Sequence, residues 1–69
     1  MTEGELWGLA EEVMTPAQYL AFWLRHHEDF QVVQIAAMLG VSRQAVDARI
    51  EGGRRRLKAA VDEREVRVA

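Results

Sequence analysis

The chain has 69 residues, 49% of them hydrophobic, with no cysteine and a formal net charge of −2, and one domain of this size buries only about 60% of its unfolded surface. These values fit a single folded domain of marginal stability and exclude a disulfide framework, a cysteine-based zinc site and a disordered chain. No run approaches the roughly 18 apolar residues of a membrane span, and the acidic start lacks the basic region of a signal peptide, so a cytoplasmic location is expected.

The first predicted helix covers about residues 5–14, where Leu6, Leu9, Ala10 and Val13 recur at helical spacing and Trp7 and Met14 broaden the stripe. Trp7 reads as a lid on the core. Thr15-Pro16 marks a boundary, because threonine caps a helix and proline is tolerated at its first position. The second helix, about residues 16–27, carries Ala17, Tyr19, Leu20, Phe22, Trp23 and Leu24 and is apolar over most of its circumference. That predicts a central place, with the first helix on one side and the following pair on the other. His26-His27-Glu28-Asp29 then reads as a polar helix end and connection, and Phe30 anchors it. Adjacent helical side chains diverge by about 100°, so the two imidazoles do not share an ion; no metal or cofactor is expected.

From Gln31 to Lys58 the chain predicts two helices meeting at a corner, a helix-turn-helix over about residues 32–58. Val32, Ile35, Ala36 and Leu39 keep the helical period, Gly40 stops it, and Val46, Ile50 and Leu57 restart it. Gly40 suits a positive φ, Val41 is an apolar plug, and Ser42 is an N-cap. Ala36 is small where the second helix crosses, and Val46 points back onto it. An ordinary helical hairpin is the plainer alternative.

Charge is unevenly distributed along the chain. Residues 1–30 set Arg25 against Glu3, Glu5, Glu11, Glu12, Glu28 and Asp29; residues 31–58 set Arg43, Arg49, Arg54, Arg55, Arg56 and Lys58 against Asp47 and Glu51. Salt screens surface charge over about 8–10 Å, so double-stranded DNA would feel mainly the basic half. In a helix-turn-helix the start of the second helix enters the major groove, which makes Arg43, Gln44, Asp47 and Ala48 the candidate base-reading residues. Ser42, Arg49, Arg54, Arg55, Arg56 and Lys58 are the candidate phosphate contacts. Arg43 with Asp47 and Glu51 with Arg55 are also spaced as in a salt-bridged solvent face. Gly52-Gly53 predicts either a bend or early helix end, or close backbone packing at Gly53. The tail, residues 61–69, is expected to be frayed or partly helical. Ser42 is the only serine and has no triad-like partner, so no enzymatic activity is expected.

The span from about Met14 to Leu57 resembles region 4 of bacterial sigma factors, which recognises the promoter −35 element. The residues that carry the likeness are MTPAQYLAFWL, QIAAMLGVS, and Val46, Arg49, Ile50, Gly53, Arg54 and Leu57 in a V-x-x-R-[LI]-x-x-[GA]-R-x-x-L pattern. The resemblance implies an all-α, small four-helix bundle with a helix-turn-helix, with Arg43, Gln44, Asp47, Ala48 and Glu51 on the −35-facing surface. It also implies RNA polymerase, through its β flap, as a partner of the earlier helices. Asp47 and Glu51 depart from the basic character of that surface, and Gly52 is unusual at its place. With 69 residues there is no room for a promoter-melting domain, so an excised domain or a stand-alone relative is expected. One function follows as a DNA-binding transcription regulator, and another as an interaction module that binds polymerase or a second transcription factor with little DNA contact. A lone helix-turn-helix buries little DNA surface, so a homodimer or tethering to polymerase is expected to supply affinity.

Overall fold

A computed structural model describes the backbone of residues 1–68 and the side chains of residues 1–65. The order is α1 (Glu3–Val13), α2 (Pro16–His26), α3 (Val32–Leu39) and α4 (Arg43–Val68), with no strand among the described residues. The chain is all-α.

Each start is fixed by a cap. Thr2 accepts from the Glu5 N–H at 3.1 Å, so α1 begins earlier than its apolar stripe suggests. At α2 the Thr15 hydroxyl accepts from the Gln18 N–H while Gln18 Oε1 accepts from the Thr15 N–H, a reciprocal box with Pro16 just inside it. At α3 Gln34 Oε1 accepts from the Gln31 N–H at 2.8 Å, one half of such a box. At the corner Gly40 takes φ 68, and both its N–H and that of Val41 bond back to the Ala36 carbonyl. Ser42 Oγ then accepts from the Ala45 N–H at 3.0 Å and opens α4.

Asp29, in the α2–α3 connection, has φ 62 although it carries a Cβ. Left-handed backbone costs an L-residue about 1–2 kcal/mol, so Asp29→Gly is expected to raise stability by about 1 kcal/mol. Gly40→Ala is expected to lower it by a similar amount, purely through the backbone, since a Cβ there meets nothing within 4 Å. Urea unfolding of the two variants checks both signs.

Two apolar clusters hold the helices, and α4 runs through both. Leu9, Ala10, Met14 and Leu57 form one, joined by Leu6, Trp7, Val13, Tyr19, Phe22, Ala60 and Val61; Ile35, Ala36 and Val46 form the other, joined by Leu24, Phe30, Val32, Leu39, Val41 and Ile50. α2 has the neighbours expected of it, α1 on one hand and α3 and α4 on the other, but its burial is corrected: only Ala21 of α2 is buried and Leu20 is 45% exposed, and α4 is equally a helix on which all the others pack. At 1.5 Å per residue its 26 residues extend about 39 Å, close to the 43 Å long axis of the molecule.

Of the alternatives for Gly52-Gly53, close packing is the one that fits: α4 runs unbroken through both glycines, and a Cβ on Gly53 would meet Met14 Sδ at 3.0 Å and Gln18 Cβ at 3.4 Å. The tail from residue 61 is helical as far as Val68, the second of the two states expected for it. Its continuation has tertiary support, with Ala60 and Val61 against the α1 cluster and Arg64 4.0 Å from Glu12. Ala69 lies outside the described residues.

Candidate nucleic-acid interface

The outward side of α4 begins where the corner releases it. Ile35 and Val46 are fully buried and Ala36 is nearly so, which fixes the rotation of α4 about its axis. With the Val46 side inward, Arg43, Gln44, Asp47 and Ala48 are all exposed. Arg43, Gln44 and Asp47 line an open depression of about 360 Å³. No ion pair joins Arg43 to Asp47 among the described residues, so this face is not neutralised in the way their spacing suggests.

At about 100° per residue, Arg43, Asp47, Arg54 and Lys58 share an arc of roughly 60°, and Gln44, Ala48, Glu51 and Arg55 fill the next. These form one polar surface over about 22 Å of helix. Arg49 and Arg56 lie beyond the far edge of it. Arg49 is half-buried, and Arg56 donates from Nη1 to the Val13 carbonyl at 3.4 Å, satisfying an unpaired group at the end of α1. The phosphate candidates thus divide, with Ser42, Arg54, Arg55 and Lys58 on or bordering the surface and Arg49 and Arg56 off it. Ser42 is exposed and its oxygen already caps α4, while its hydroxyl hydrogen remains a donor.

Protein-family models, curated proteins and solved structures give no match to this chain.

Glu51 governs the charge of the surface. Its carboxylate receives the Arg54 fork, Nε and Nη2 each at 3.2 Å, and Arg55 Nε stands 3.4 Å away. The Arg54 hydrogen bond, more than the nearby positive charges, holds the Glu51 carboxyl below its usual range. Its i, i+4 spacing from Arg55 was legible in the sequence; the two-pronged i, i+3 bond to Arg54 was not, since it depends on rotamers. Neutralising it with Glu51→Gln is expected to strengthen duplex binding and steepen its salt dependence, by about 0.9 in log–log slope for each phosphate contact released. Weaker binding by that variant would mean that the carboxylate orients the arginines rather than competing for them.

The two histidines at the end of α2 face different surroundings. His27 stacks on Trp23 with ring centroids 3.8 Å apart and 13° between planes, and its Nδ1 lies 3.2 Å from Glu28. Trp7 meets Trp23 edge-on at 4.9 Å and Phe22 at 5.6 Å, which completes the aromatic lid. His26 instead rests on Phe22 at 4.4 Å. Burial, followed by the charges of Arg25 and Arg54, holds its imidazole below the ordinary histidine range, with Asp29 opposing them.

Proposed function

We propose that the chain is a DNA-binding transcription regulator: α3 and α4 act as a helix-turn-helix, and the start of α4 reads duplex DNA in the major groove. The observation that carries this reading is the free polar face of Arg43, Gln44, Asp47 and Ala48, presented by a helix whose rotation Ile35, Ala36 and Val46 fix. Arg43 suits guanine O6 and N7, Gln44 suits adenine, Asp47 accepts from a cytosine amine, and Ala48 can touch a thymine methyl. Ser42, Arg54, Arg55 and Lys58 supply phosphate contacts along the same surface. The resemblance to sigma region 4 supports action beside RNA polymerase, with the acidic and aromatic first half turned toward the enzyme or another transcription factor.

One observation favours a second reading, an interaction module with little DNA contact. Glu51 already occupies Arg54 and Arg55, and Asp47 stands amid the reading face. Fluorescence anisotropy of a labelled duplex against salt separates the two. Binding that weakens steeply with salt supports the regulator, whereas no duplex binding together with capture of purified polymerase would favour the module.

A further inference from the structure

Arg43 and Asp47 stand one turn apart on α4, about 6 Å along its axis and about 40° around it. That spacing ordinarily lets an arginine and a carboxylate pair across a helix face. Here both are exposed and, with Gln44, line one open depression of about 360 Å³. Neither side chain has an ion-pair or hydrogen-bond partner among the described residues. Glu51, the other acid of this surface, is bonded to Arg54 and stands 3.4 Å from Arg55 Nε. A donor group and an acceptor group thus share one hollow at the start of α4, and each meets an incoming molecule without breaking an internal bond.

We propose that Arg43 and Asp47 read one G·C base pair as a unit, Arg43 on the guanine and Asp47 on the cytosine across from it, and that Asp47 is the residue that rejects other pairs there. This rests on the duplex-binding reading. In the major groove guanine presents the acceptors O6 and N7, and its partner cytosine presents the N4 donor beside them. A guanidinium, which only donates, next to a carboxylate, which only accepts, is the complement of that edge. Thymine would set its O4 acceptor against Asp47, guanine would set two acceptors, and adenine would offer one donor flanked by the acceptor N7. A carboxylate facing an acceptor gives up its water for nothing, so a wrong pair is repelled as well as poorly held. Asp47 by itself would be driven from the groove by the backbone phosphates. Arg43 in the same depression offsets that charge, so the pair acts only when both are present. Glu51 cannot take this part, because Arg54 and Arg55 already engage it.

The probe is the duplex that wild type selects from a random pool, with every single base-pair replacement of it, measured by anisotropy at fixed salt. Arg43→Ala and Asp47→Ala, both at exposed positions, should each lose preference at the same G·C pair by about fivefold or more. The two losses should not add in the double variant, since either truncation disables the unit. Asp47→Ala should also bind the duplexes replaced at that pair more tightly than wild type does, because a repelling charge is gone. A second arm needs no variant. Placing N4-methylcytosine at that position exchanges the outward N–H for a methyl while leaving an N–H for guanine, and wild type should bind it several-fold more weakly. Asp47→Ala should bind the methylated and plain duplexes alike. Undiminished preference in Asp47→Ala, a loss at a different pair from the one Arg43→Ala affects, or wild-type indifference to the methyl group overturns the proposal and leaves the duplex reading intact. Failure of wild type to bind or select any duplex overturns both.

Discussion

Ile35→Ala is expected to destabilise the protein by about 3 kcal/mol, within the usual range for emptying a buried isoleucine site. Ile35 is fully buried against Ala36 and Val46, in a cluster with only those three buried members. Total stability at typical values of about 0.05–0.15 kcal/mol per residue is only about 3–10 kcal/mol here, so this single change removes a large share of it. Duplex binding should fall with the folded fraction, because α4 loses the contact that fixes its rotation. Urea unfolding at several temperatures measures the loss, and exposed Ala37→Ser is the control, expected within about 0.5 kcal/mol of wild type. A loss under about 1 kcal/mol would mean that the corner does not depend on this cluster.

The double variant Arg43→Ala, Gln44→Ala should leave thermal stability almost unchanged, since both side chains are exposed. It should nevertheless remove sequence preference. A well-formed bidentate base contact is worth about 1–3 kcal/mol of discrimination, so two lost contacts reduce the preference for the best duplex at least about tenfold. Arg54, Arg55 and Lys58 remain, so residual binding should keep most of its salt dependence while treating all duplexes alike. The measurement is competition between a duplex selected from a random pool and a scrambled one. Preference surviving in the double variant would move base reading to other residues.

The local punctuation of the fold was legible in the sequence. Thr15-Pro16, Gly40 and Ser42 act through their own backbone or through side chains a few residues away, and each does in the structure what its chemistry predicts. The reach of α4 was not legible. Its last third is mostly charged, and the support for it, Ala60, Val61 and Arg64 against α1, comes from residues more than forty positions earlier, such as Glu12. The central place of α4 was obscured for a related reason. α2 carries more apolar residues, yet Leu20 faces solvent while a helix with two adjacent glycines takes the hub. At the candidate site, the exposure of Arg43, Gln44 and Asp47 followed from the period, but the division of the arginines did not. Arg56 turns to Val13 and Arg54 to Glu51, choices made by neighbours brought close only by folding.

A continuous α4 shared by two small nuclei has a consequence for how the molecule melts. Neither nucleus is large enough to persist alone, and each owes one wall to the same rod. Solvent entering at the aromatic end therefore loosens the opposite end as well, and amide protons in α1 and α3 should exchange through one common opening with a single protection free energy.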